Sequence, residues 1–155
     1  MIVVADASVS LKWLLPLQPN EADVLRAHNL HDRASRGELE LRQPPHWMSE
    51  VLSILARNVP PAAFAAYAGF LGALQIKTDV SAQNYARAMS LSASLNHHLF
   101  DTLYHATALQ TPGAVFVTAD ERYFRKAASL GQIMRLADWA IDAPTATDNL
   151  PTKPN

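Results

Sequence analysis

The sequence contains no cysteine, which rules out a disulfide framework and any thiolate metal site and leaves a reducing compartment open. Glycine is scarce, five in 155 residues, and none of the five falls in a G-x-S-x-G, G-x-x-x-x-G-K or G-x-G-x-x-G spacing. Serine-hydrolase elbows, P-loops and dinucleotide fingerprints therefore drop out. An excess of positive charge is missing too: 13 Lys and Arg face 14 Asp and Glu, for a net charge of −1. Without a global positive field, any nucleic-acid binding must come from local groups or bound cations. No basic segment precedes an apolar stretch at the N-terminus, so no secretory leader is expected and the cytoplasm is the default location. The uncharged run from Ala62 to Ile76 is too short to span a bilayer and follows Pro60-Pro61 directly. It reads as a helix that is apolar nearly all round, and such a helix must bury both faces. The core accounts for one face, and a subunit or partner contact would account for the other.

What is present suits one globular domain: apolar residues make up 49% and charged residues 17%. Met1 to Asp6 is a β-branched run ending in a carboxylate, and the apolar spacing of Val9, Trp13 and Leu14 predicts a helix after it. Pro16 and Pro19 interrupt, then Ala22, Leu25, Ala27 and Leu30 mark a helix over 21–36 that Gly37 stops. A short strand is predicted over 38–42. Pro44-Pro45 opens a helix buried through Trp47, Val51, Leu52, Ile54 and Leu55. Further strands are predicted over 76–80, 114–117 and 133–136. Helices are predicted over 81–95 (buried through Tyr85, Ala88, Met89, Leu91 and Ser92), from about 98 to 110, and over 121–130. Alternating strands and helices predict an α/β sandwich with a central, mostly parallel sheet, with extra helices inserted between the second and third strands. The domain spans 1–142; the Pro- and Thr-rich stretch 143–155 reads as a mobile tail.

Four carboxylates recur in comparable settings. Asp6 and Asp120 sit where strands pass into helices, Asp101 opens a helix, and Glu50 lies in the early turns of another. Taken singly, Asp6 and Asp120 read as helix N-caps. A parallel sheet, however, gathers strand ends and helix N-termini at one edge, where four negative groups repel unless a cation is present. An all-oxygen donor set favours Mg²⁺ or Mn²⁺.

The segments Val3 to Trp13, Pro45 to Val51, Phe100 to Ala108 and Val117 to Arg122 resemble the four acidic motifs of PIN-domain ribonucleases, and VapC-type toxins of toxin–antitoxin pairs in particular, in order and spacing across about residues 1 to 140. The resemblance implies a three-layer α/β/α sandwich and a Mg²⁺- or Mn²⁺-dependent endoribonuclease. It also implies a homodimer, held inactive by a small cognate antitoxin. Carried over motif by motif, Asp6, Asp101 and Asp120 would hold the metal, and Glu50 would complete the cage or orient the attacking water. Ser8 and Thr118 match supporting polar positions. Ser53 stands where many relatives carry Asn, and His105 where a small or apolar residue is commoner. Arg122, Arg125 and Lys126, on the helix after Asp120, are candidate contacts to substrate phosphate.

Other groups carry less. His97-His98 does not make a metal pair, since adjacent helical residues point apart and no third soft ligand accompanies them. His105 reads as a packed or hydrogen-bonded imidazole, and His28 and His31 as solvent-facing. Trp13, Trp47 and Trp139 read as core or interface aromatics. Two other functions remain in view. One is a PIN-like domain that binds RNA or protein without cutting; the other is an aspartyl-phosphate enzyme built on Asp6, which Ser8 disfavours because that pattern wants a second Asp there.

Overall fold

The computed structural model describes residues 1–15, 23–74 and 76–141. The prolines at 16 and 19, the start of the predicted second helix at 21–22, and the predicted tail 143–155 lie outside the described residues.

β1 (Ile2–Ala5) leads into α1 (Ala7–Leu14), and α2 (Val24–Ser35) leads into β2 (Glu40–Gln43). Then come α3 (Trp47–Asn58), a 3-10 turn at Pro61–Ala63, α4 (Phe64–Ala73) and the two-residue β3 (Lys77–Thr78). α5 (Ala82–Leu95) and α6 (Leu99–Leu109) precede β4 (Ala114–Thr118), and α7 (Glu121–Ala127) precedes β5 (Ile133–Arg135). The inserted helices between the second and third strands are α3 and α4. The helix predicted to reach residue 130 ends at Ala127 and tightens into a 3-10 turn over Ala128–Leu130.

All five strands are parallel, in the order β3-β2-β1-β4-β5. The first strand is therefore central, flanked on one side by β2 and on the other by β4. Both its faces are covered, which is why Val3, Val4 and Ala5 form an unbroken apolar run and are fully buried. Right-handed crossovers put α1 to α4 on one face and α5 to α7 on the other. Tyr67 of α4 donates to the Leu14 carbonyl on the first face. On the second, Tyr104 of α6 stacks on Phe116 of β4, with ring centroids 5.9 Å apart. Among the described residues no helix is long and apolar enough to cross a membrane.

Two helices, α2 and α5, differ from their predicted placement. Leu25 is 73% exposed, while Val24, Ala27 and Leu30 carry the buried side of α2. In α5 the predicted Tyr85 and Met89 face out, Met89 at 63%, and Asn84, Ala88 and Leu91 face in. A polar clasp sets that rotation: Asn84 Nδ2 donates to Thr107 Oγ1 of α6 at 2.9 Å, and Thr102 Oγ1 donates to the Ala88 carbonyl at 2.9 Å. His31 does not face solvent. Its ring packs against Trp13 and Phe70, at 5.3 and 5.7 Å between centroids.

Candidate active site

The register of β1 against β4 pairs Ala5 with Val117, so Asp6 and Thr118 leave the sheet side by side at its C-terminal edge. Asp6 caps α1: its Oδ1 accepts the Ser8 amide at 3.0 Å, and its Oδ2 accepts the Thr118 hydroxyl at 2.5 Å. The cap reading and the site reading are thus both satisfied by one carboxylate with two oxygens. Burial pushes the Asp6 carboxyl up to about 6, against the lowering effect of Thr118 and Ser8, and the charges of Asp101 and Glu50 push it in the same direction as burial.

Asp120 sits beyond Thr118 and caps α7, with Oδ1 accepting the amides of Arg122 at 2.8 Å and Tyr123 at 3.0 Å. Thr118 Oγ1 accepts the Asp120 amide at 2.9 Å. Ser8 Oγ accepts the neighbouring Ala119 amide at 3.3 Å. These two hydroxyls tie the end of β1 to the end of β4.

Glu50 and Asp101 arrive from the first turns of α3 and α6. Tyr104 donates its hydroxyl to Glu50 Oε2 at 2.7 Å, and His46 Nε2 lies 3.5 Å from the same oxygen. Burial raises the Glu50 carboxyl, but His46 and Tyr104 outweigh it, and the group is held below the usual glutamate range. The Tyr104 hydroxyl is pushed up by burial and then by Glu50 and Asp6, so it remains a donor. Asp101 is pushed up, first by burial and then by Glu50 and Asp120, with His97 acting against them. Asp6 thus feels Asp101 and Glu50, and Asp101 feels Glu50 and Asp120. The fold brings the four carboxylates into one electrostatic neighbourhood.

Reading residues in isolation missed His97, His46 and Tyr104. His97, its side chain only 9% exposed, stands between two of the acids, with Nε2 3.1 Å from Asp101 Oδ2 and 3.9 Å from Asp120 Oδ2. The available signal was spacing: His97 precedes Asp101 by four residues, as His46 precedes Glu50. His105 is packed, its Nε2 donating to the Gly131 carbonyl at 2.8 Å and its Nδ1 accepting the Tyr123 hydroxyl at 3.1 Å. The Ser53 hydroxyl turns back onto its own helix, donating to the Glu50 carbonyl at 2.9 Å.

Of the basic candidates, Arg122 and Arg125 are exposed on α7. Lys126 donates to the carbonyls of Leu95 and Asn96 at 3.0 and 2.8 Å, closing the end of α5.

Among the described residues no three His, Asp or Glu side chains close to the spacing of a formed metal centre. The donor set is nevertheless that of a hard cation. The four acids offer oxygen donors, and the Asp6 and Asp101 carboxyls are raised by burial first and then by the charges of neighbouring acids. A model of the PIN domain matches residues 3–130. The chain belongs to the PIN-domain family. No curated protein matches it. PIN domains are in general metal-dependent nucleases, and this PIN domain gathers Asp6, Glu50, Asp101 and Asp120 near the C-terminal edge of an all-parallel sheet. There, strand ends and helix N-termini converge.

Proposed function

We propose that this PIN-domain protein is a Mg²⁺- or Mn²⁺-dependent endoribonuclease and the toxin of a type II toxin–antitoxin pair. The observation that carries the reading is the convergence of Asp6, Glu50, Asp101 and Asp120, two of them pushed up by burial and by one another's charge. A divalent ion, when bound, supplies an activated water and neutralises charge at the phosphoryl group. Asp6, Asp101 and Asp120 are the residues that would hold it.

The remaining side chains prepare the site for hydrolysis. Glu50 is held below the usual glutamate range and so stays an ionised acceptor that would complete the cage or orient the attacking water. Tyr104 fixes which way that carboxylate points. Ser8 and Thr118 hold Asp6 and the backbone after it. Arg122 and Arg125 lie exposed on the helix after Asp120, where contact with backbone phosphate would add affinity without sequence preference. By family analogy the products are a 5′-phosphate and a 3′-hydroxyl.

The antitoxin and a second copy of the chain are the proposed partners. The helix predicted to need covering on both sides supports that part of the reading: α4 buries only Leu71 and leaves Phe64 and Phe70 partly exposed. A groove of about 230 Å³ between α3 and α4, lined by Leu52, Leu55, Phe64 and Tyr67, continues this apolar surface.

The decisive experiment is cleavage of structured cellular RNAs and generic RNA with Mg²⁺ or Mn²⁺, beside a chelator control and the Asp101→Asn variant. Cleavage should require the ion and fall by at least about a hundredfold in Asp101→Asn, whose circular dichroism should match the parent. Ion binding with no cleavage of any RNA would overturn the nuclease assignment in favour of a silent RNA- or protein-binding domain. The toxin assignment is tested separately, by growth arrest on expression and by rescue with a small protein encoded immediately upstream.

A further inference from the structure

Phe100 is a large apolar side chain left 49% exposed beside Asp101. A single exposed apolar residue needs no explanation by itself. This ring, however, is held in place. The imidazole of His46 stacks beneath it, with centroids 5.0 Å apart and planes inclined at 22°. The imidazole of His98 meets it at 5.0 Å and 62°. His98 is itself fixed, its Nδ1 accepting the Phe100 amide at 3.3 Å. Beneath His46 lies Tyr104, edge-on at 4.9 Å, and Tyr104 donates to Glu50. A layered aromatic column therefore runs from solvent through Phe100 and His46 to the residue that orients the Glu50 carboxylate.

We propose that Phe100, backed by His46 and His98, is a stacking platform for an unpaired nucleobase of the strand whose phosphate enters the acidic cluster. The inference rests on the nuclease reading and adds one residue to it, a ring that holds an unpaired base beside the phosphate. A base stacks on an aromatic face whatever its identity, so the platform contributes affinity and position without sequence preference. A duplex keeps its bases stacked on one another, so it cannot use the platform. The two features divide the work: the acids with their cation take the phosphate, and the ring takes the adjoining base.

The test measures binding apart from cleavage. Fluorescence anisotropy of a short labelled oligoadenylate, with Ca²⁺ replacing Mg²⁺, is compared between the parent, Phe100→Ala, Phe100→Leu and Phe100→Trp. Phe100→Ala and Phe100→Leu should weaken binding about tenfold, while Phe100→Trp keeps or improves it. With an abasic oligonucleotide of the same length, parent and variants should bind alike. If Phe100→Ala fails to fold, the contrast between Leu and Trp carries the test, since only Trp retains an aromatic face. Equal binding by the parent, Ala and Leu proteins would overturn the platform and leave the nuclease reading standing. Weakening by Trp as much as by Leu, or an equal loss on the abasic strand, would also overturn it, because the ring would then act only in packing. A parent protein that neither binds nor cuts single-stranded RNA would instead remove the reading on which the platform rests.

Discussion

At the scale of the residue, Asp6 carries the largest consequence. Burial lifts its carboxyl from 3.8 to about 6, so between those values the folded chain holds a proton that the unfolded chain has released. Stability therefore falls as pH rises through this window, and is regained on acidification. Two units correspond to about 3 kcal/mol. In chelator, urea unfolding of the parent should lose about that much between roughly pH 4 and pH 6.5, and Asp6→Asn should lack this component. A pH profile identical in the two proteins would show that the carboxyl is not held in its neutral form. The four acids themselves were legible because each stands at an element boundary in a recognisable motif. Their supports were less so. Tyr104 reaches Glu50 across the space between α6 and α3, and no local pattern announces a contact across 54 residues, whereas His46 meets the same carboxylate from four residues back at the start of α3. His97 and His98 read as adjacent helical residues, but both lie in the link between α5 and α6, and His97 is wedged between Asp101 and Asp120.

At the scale of the element, two packed helices show where periodicity runs out. The α5 pattern predicts Tyr85 and Met89 inside, but the pair α5 and α6 turns Asn84 inward to meet Thr107. Hydropathy ranks an amide as an outside residue and cannot foresee that another buried hydroxyl awaits it. Thr107 Oγ1 also donates to the Leu103 carbonyl at 2.8 Å, so Thr107→Val removes one partner and leaves the buried Asn84 amide unpaired. The variant should lose about 1–3 kcal/mol in chemical denaturation, whereas the exposed Met89→Gln should stay within about 0.5 kcal/mol of the parent. Equal effects would mean that the clasp does not decide the rotation of α5. The strands were read more easily, because β1 and β4 are buried on both faces and advertise themselves as β-branched runs. The shortest strand, β3, has only two residues, and an ion pair supplements its ladder: Lys77 donates to Glu40 of β2 at 2.7 Å.

At the scale of the whole molecule, the acids come from four places, the junction of β1 and α1, α3, α6 and the N-cap of α7, and their like charges oppose one another's ionisation. A divalent ion that binds only the assembled site must stabilise the entire fold by mass action, by ~2.7 kcal/mol at a free concentration about a hundredfold above its dissociation constant. Titration with Mg²⁺ should raise the unfolding temperature of the parent continuously. Asp101→Asn should respond weakly or not at all. A parent protein insensitive to Mg²⁺ would mean that the acids are held together by the scaffold alone. Fold class was legible at this scale from the alternation of elements, whereas the strand order was not, because nothing in a hydropathy pattern says which strand lies between which neighbours.

That order has an outcome in time. The centre of the sheet is made first, yet its inner neighbour β4 is made more than a hundred positions later, and the bond from Thr118 to Asp6 closes a loop of 112 residues. A nascent chain still on the ribosome at residue 110 therefore lacks both β4, one of the two strands that flank β1, and one of the four acids, Asp120. The acidic cluster cannot assemble gradually during synthesis; it forms only once the chain has been made beyond Thr118 and Asp120 and that loop has closed, which leaves an interval in which another chain could take hold before the four carboxylates meet.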